Sequence, residues 1–180
     1  MQKKKAIIVV GPESSGTRLL TRLLVAAGCD GDANSEVAHN GWPQRWDTQD
    51  PKHDQDIVIR RSLPYHPFRT WPDIKALCKR FKKLGYQVKI VAIDRSDKAL
   101  ASSQVAHGWV ATKKQSHDEH DACKQIMKGL KPAHSMKYEM LVRKPTETTN
   151  KMLKALGLKS LRKLPEDVFD GNAKYTEGGN

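Results

Sequence analysis

The stretch "IIVVGPESSGTRLLTRLLVAAG" (7–28) decides the reading of this 180-residue chain. A short β-branched apolar run, Ala6 to Val10, stops at Gly11. Four residues later Gly16 closes a loop, and Thr17 opens a segment with Leu19, Leu20, Leu23, Leu24 and Ala27 on one helical face. The period thus switches from that of a buried strand to that of an amphipathic helix, with Gly28 as the stop. A loop between a strand end and a helix N-terminus turns successive backbone N–H groups toward one anion, and the helix end adds partial positive charge. Gly11 and Gly16 supply tight backbone geometry, and Ser14, Ser15 and Thr17 supply hydroxyls. The loop lacks the lysine that follows the second glycine in the usual nucleoside-triphosphate loop; Thr17 and Arg18 stand there instead. An ordinary ATP or GTP hydrolase is therefore not the expectation.

Working outward, "DIVIR" (56–60), "QVKIVAID" (87–94) and "SMKYEML" (135–141) read as further strands. Helical patterns cover 17–27, 71–84, 97–106, 118–129 and 146–156. Strands alternating with helices predict an α/β three-layer sandwich with a central, mainly parallel sheet of the P-loop nucleotide-binding type. The length predicts a single domain over 1–180, with 165–180 as loop or flexible tail. Residues 29–55 are polar, without a period, and carry Trp42 and Trp46 as possible acceptor contacts or loop anchors.

The formal charge is +12, and residues 1–60 balance eight basic against eight acidic side chains, so the excess lies in 61–180. That bias suits an anionic ligand or partner. Aromatic residues make up only 6%, and no nucleic-acid-binding motif is present, so nucleic acid is not the expected partner. A basic nucleic-acid-binding module stays as an alternative on charge alone. Cys29, Cys78 and Cys123 have no metal-site or disulfide-framework spacing, which points to a reducing compartment. No apolar run approaches the roughly 20 residues of a membrane span, and the basic start "MQKKK" leads into a strand rather than a signal peptide, so a cytoplasmic location is expected. In "HDEH" (117–120), His117 and His120 sit in a strongly polar stretch; no metal site is expected.

"GPESSGTRLL" resembles the 5′-phosphosulfate loop of sulfotransferases that use 3′-phosphoadenosine 5′-phosphosulfate (PAPS), whose carbohydrate-type members read GxxKGGTRxL. The resemblance implies that Gly11, Ser14, Ser15, Gly16, Thr17 and Arg18 hold the donor. In that family an arginine after a central strand and a serine eight residues on bind the 3′-phosphate; "KIVAIDRSDKALASSQ" offers Arg95 and Ser103 at that interval. An arginine fork suits a phosphate. "VIRRSLP" (58–64) is similar to the family's IKTHLP segment, and "MKYEMLVRKPTETTNKMLKALGL" (136–158) to its YEDLvxxPxxxxxxLxxFLGL stretch.

The resemblance implies PAPS as co-substrate, no metal, and a small-molecule or glycan acceptor. It departs at three places. Ser14 stands where the family has the loop lysine, so the charge must come from Arg18, Arg60 or Arg61. Strand alternation sends the last two to opposite faces, and Arg60 is favoured. Ser62 stands where the family has its histidine base; His66, two residues past Pro64, is the substitute, with Glu13, His39 and His107 as rivals. The family's late GxxGxWK segment is absent, and only "DGNAKY" (170–175), with Lys174 and Tyr175, offers a replacement. A kinase-like phosphotransferase using ATP is the competing enzyme; it would need an acidic magnesium ligand, for which Asp94 is placed. Oligomeric state is not readable from the sequence.

Overall fold

The computed structural model describes residues 3–31, 50, 51, 54–65 and 69–165. Four strands, β1 (Lys5–Gly11), β2 (Ile57–Ser62), β3 (Gln87–Asp94) and β4 (His134–Lys137), form one sheet in the order β2-β1-β3-β4, with every neighbouring pair parallel. Six helices accompany them among the described residues: α1 (Thr17–Ala26), α2 (Ile74–Lys83), α3 (Asp97–Ala106), α4 (Lys113–Leu130), α5 (Tyr138–Arg143) and α6 (Pro145–Leu156). The fold is α/β, with helices on both faces of a parallel sheet, as the alternation of patterns predicts.

The layers follow from side-chain alternation. All seven residues of β1 are buried because it lies mid-sheet. Ile7 and Val9 join Leu20, Leu23 and Leu24 of α1, Leu141 of α5, and Met152, Leu153 and Leu156 of α6 on one face. Ala6, Ile8 and Val10 meet Ile74 and Phe81 of α2, with Cys123 and Met127 of α4, on the other. Cutting one of these leucines to alanine would cost about 2–5 kcal/mol. The register sets Gly11 level with Ser62, so the C-terminal ends of β1 and β2 finish together. Asp94 ends β3 at the same edge, and this is where loops in parallel sheets carry ligands.

Three boundaries differ from the sequence reading. α2 begins at Ile74 rather than 71, because Asp73 stays outside the helix and its carboxylate caps Ala76 N–H at 2.9 Å. α4 begins at Lys113, five residues before the predicted start. Thr112 accepts from Gln115 N–H at 3.1 Å, while Gln115 Oε1 accepts from Ala111 N–H at 3.0 Å, a reciprocal cap that starts the helix without any apolar residue. The predicted strand 135–141 is corrected to β4 followed by α5. Tyr138 and Leu141, three apart, are buried, whereas Met140 is 45% exposed; a strand would have placed Met140 with Tyr138. α6 starts with Pro145 at its first turn and ends at Gly157 in the left-handed region, both as expected.

Candidate functional site

The glycine loop joins the end of β1 to α1. At Gly11 a Cβ would lie 2.2 Å from the Ile93 carbonyl oxygen. Gly16 has φ +97°, and a Cβ there would meet Tyr138 Cδ2 at 2.6 Å. Only glycine lets the loop lie this close to β3 and α5. Ser14 also occupies the left-handed region (φ 68°), a conformation found at ligand-holding turns. Ser15 N–H donates to the Pro12 carbonyl at 3.1 Å, and Leu63 N–H donates to the Gly11 carbonyl at 2.9 Å, tying the end of β2 to the loop.

Two distant segments converge on Ser14. Arg95, the residue after β3, donates from Nη1 to the Ser14 carbonyl at 2.7 Å. Ser103, on α3, donates from Oγ to Ser14 Oγ at 3.0 Å. Both are buried, at 5% and 3% exposure. The Arg95 guanidinium also lies over the Tyr138 ring, 4.8 Å from its centroid. Next to Ser103, Gln104 donates from Nε2 to the Glu13 carbonyl at 2.9 Å, while its Oε1 accepts from Ser116 Oγ at 2.7 Å. The loop is thereby clamped to α3 and, through Ser116, to α4. Ser15 Oγ is buried and has no hydrogen-bond partner among the described residues, a defect worth about 1–3 kcal/mol.

The electrostatics favour an anion. Arg60, Arg61 and Arg95 are all buried near this end of the sheet, and Glu13 is the buried carboxylate among them. Arg61 donates from Nη1 to the Arg60 carbonyl at 2.7 Å. Burial pushes the Tyr65 phenol above its ordinary range; Arg60 pulls it back, Glu13 adds to the rise and Arg61 opposes it, so the four groups share one electrostatic neighbourhood. Thr17 is buried at the helix start. Arg18 is exposed at the second position of α1 and would meet a ligand only from the solvent side.

A polar lock holds the turn that carries Arg95. The Asp94 carboxylate accepts from His120 Nε2, from Lys137 Nζ and from the Arg95 N–H. Burial alone would raise its pKa, but the bonds from His120, Lys137 and Arg95 together hold it well below the usual carboxylate range. His120 Nδ1 lies 2.8 Å from Asp97 Oδ1 but is not aligned as a hydrogen bond. Asp94 is thus consumed by protein contacts, and a magnesium ion would have to displace them. His120 serves this lock, and no group of three or more His, Cys, Asp or Glu able to hold a metal occurs among the described residues.

Other sequence candidates fall elsewhere. His107 sits at the C-terminal end of α3, its Nδ1 2.7 Å from the Ser103 carbonyl and its ring stacked on Trp109, which makes it part of the helix end. His66, His39, Trp42, Trp46, Lys174 and Tyr175 lie outside the described residues. The cysteines are free. Burial, with help from Asp56, pushes the Cys29 thiol up to about 12, and burial raises Cys123 as well. Sequence reasoning missed Gln104, Tyr65 and the part played by Tyr138. Tyr138 was visible within "MKYEML", but the strand reading hid its position beside the loop.

No family model matches the chain, and no curated protein matches it. Among solved structures, the mouse sulfotransferase SULT7A1 complexed with PAP aligns at 15% identity and a TM-score of 0.42. The alignment covers 98% of this chain, which spans 64% of the length of that one. The functional reading rests on the site itself.

Proposed function

We propose that this chain is a PAPS-dependent sulfotransferase, a single domain acting in the cytoplasm on a hydroxyl or amine of a small-molecule or glycan acceptor. One observation carries the reading: Arg95 and Ser103, 81 and 89 residues away in sequence, both contact Ser14 of the glycine loop. A donor with one anionic group in the loop and a second at Arg95 would use both. Ser15 Oγ, orphaned inside the loop, is the kind of buried hydroxyl that a ligand oxygen satisfies. The co-substrate thus fits the residues present. The competing ATP-dependent phosphotransferase loses its magnesium ligand, because Asp94 is held by His120 and Lys137.

In this reading the loop N–H groups, with Ser14, Ser15 and Thr17, hold the 5′-phosphosulfate, and Arg95 and Ser103 hold the 3′-phosphate. Arg18 guards the solvent side. The acceptor oxygen or nitrogen bonds to sulfur as the bond from sulfur to the phosphate oxygen breaks, leaving adenosine 3′,5′-bisphosphate. The acceptor proton passes to a base, for which His66 is proposed. Charge on the shifting oxygens is countered by Arg60, with Ser14 donating a hydrogen bond where a lysine is usual.

Thermal unfolding tests the donor site. Adenosine 3′,5′-bisphosphate at 100 times its dissociation constant should stabilise the fold by about 2.7 kcal/mol. ADP with magnesium should do less, and Arg95→Ala should abolish the rise. Stronger stabilisation by ADP with magnesium, or an unchanged response in the variant, overturns the proposal. Labelled PAPS offered to hydroxyl- and amine-bearing acceptors then reads transfer.

A further inference from the structure

At the opposite end of the sheet lies a second cationic hollow, with a cavity of about 730 Å³. It opens between α2 and the C-terminal end of α4. Lys75, Lys79, Lys82 and Lys83 of α2 line it, with Lys131 of the α4 cap, and no acidic side chain among the described residues does. None of these five lysines pairs with a carboxylate among the described residues. The floor is apolar, made by Val88, Ile90 and Leu130. Ile90, the β3 lining residue nearest the site, is four residues from Asp94, about 13 Å of extended chain, and no residue of the glycine loop lines the hollow, so the two are distinct.

The backbone adds donors. β4 pairs with β3 only from Val91 onward, so among the described residues the first half of β3 has no strand on that side. Gln87 N–H donates to the Lys4 carbonyl on the β1 side, and the Ile90 carbonyl accepts from Ala133 on the other. Parallel geometry turns both backbone groups of a residue the same way, so the N–H groups of Val88 and Ile90 face that other side beneath the lysines.

The placement of the lysines costs stability. The helix dipole accounts for cations in the last turn of α2, but Lys75 is in its first turn, where positive charge is disfavoured. Lys75 and Lys79, then Lys79 and Lys83, are like-charge pairs four apart on the helix, where like charges repel. Lys131 holds the left-handed cap of α4 (φ 50°), a position where glycine is usual. A bound polyanion would offset all of these.

We infer that this hollow is a second binding site, for a compact ester carrying several phosphate or sulfate groups. Its size suits a small molecule. Lysines rather than arginine forks line it, so it reads charge density and does not separate phosphate from sulfate. With no aromatic residue among the described residues of its lining, it offers nucleobases no stacking surface.

Isothermal titration calorimetry of the whole chain at about 50 mM salt, where surface charge is weakly screened, tests this with tripolyphosphate and sucrose octasulfate as probes. Both should bind. Lys79→Gln/Lys82→Gln should weaken both by about tenfold, as expected from the loss of two ion contacts, and Lys75→Gln/Lys131→Gln should act likewise. Lys113→Gln/Lys114→Gln should leave affinity within about twofold, less than one such contact. Absence of binding by both probes overturns the inference. So does equal weakening by Lys113→Gln/Lys114→Gln, which would mean diffuse charge, or loss of binding in Arg95→Ala, which would put the probe in the glycine loop. Because the lysine variants read the hollow and Arg95→Ala reads the glycine loop, failure here is distinguishable from failure of the donor site.

Discussion

Gly16→Ala isolates the contact between the glycine loop and α5. Gly16 and Gly28 have nearly the same backbone, φ +97° and +98°. A methyl at either pays for a left-handed conformation, roughly 1–2 kcal/mol. At Gly28 nothing among the described residues lies within 4 Å of the added carbon; at Gly16 it lies 2.6 Å from Tyr138 Cδ2. That ring cannot easily retreat, since Tyr138 is buried and lies under Arg95. Overpacking of this kind costs about 1–3 kcal/mol, so Gly16→Ala should destabilise by about 2–5 kcal/mol and Gly28→Ala by about 1–2. Urea unfolding followed by circular dichroism gives both values. The cycle with Tyr138→Ala then separates clash from strain: in that background Gly16→Ala should cost no more than Gly28→Ala. If the two glycine variants are equally destabilised in the native background, the ring does not lie against Gly16, and the packing of the loop described above is wrong. Displacing the ring also disturbs Arg95, so Gly16→Ala should weaken adenosine 3′,5′-bisphosphate binding beyond its effect on stability.

Gln104→Ala removes the clamp on the Glu13 carbonyl and strands the Ser116 hydroxyl, so urea unfolding should show a loss of about 1–3 kcal/mol; a loss under 0.5 kcal/mol, the size of an ordinary surface change, would show that the clamp is dispensable. Asp94 is depressed in the folded state, so its stabilisation is present above the ordinary carboxylate pKa and drains away as the pH falls below about 4 toward the folded value. Stability followed from pH 7 downward should therefore fall in that window, and Asp94→Asn should start lower and fall less steeply. A thiol reagent at mildly alkaline pH should modify half-buried Cys78 first and reach Cys29 and Cys123 only on unfolding; mass spectrometry of the native protein showing early labelling of Cys123 would contradict its burial.

The features legible in the sequence are those with local causes. β1, β2 and β3 are continuous apolar runs because a parallel sheet buries both faces. The loop is legible because Gly11 and Gly16 answer to backbone geometry. The α4 start was missed because "KKQSH" carries no apolar period; its signal is the hydrogen-bonding pair Thr112 and Gln115. "SMKYEML" was misread because Met136, Tyr138 and Met140 alternate as in a strand, and only the tertiary packing of Tyr138 with Leu141 decides for a helix. Arg95 and Ser103 entered through a resemblance, and spacing alone would not have brought them to Ser14. Gln104 was invisible for a deeper reason: its two partners, Glu13 and Ser116, are joined only by the fold.

The two cationic regions use different chemistry, and the difference separates the roles proposed for them. At the C-terminal edge of the sheet the positive charge is carried by arginines, buried at 1–6% exposure. Guanidinium stays protonated at such burial and fixes its donors in a plane, so these side chains impose one geometry on a ligand. In the other hollow the charge is carried by exposed lysines on flexible stems, with no carboxylate among the described residues to hold them. Such a surface is screened by salt and accepts many anions. Raising the salt should therefore weaken tripolyphosphate binding steeply and adenosine 3′,5′-bisphosphate binding little. Equal salt dependence would mean that the bisphosphate also rests on exposed charge, and the buried arginines would lose the role given to them here.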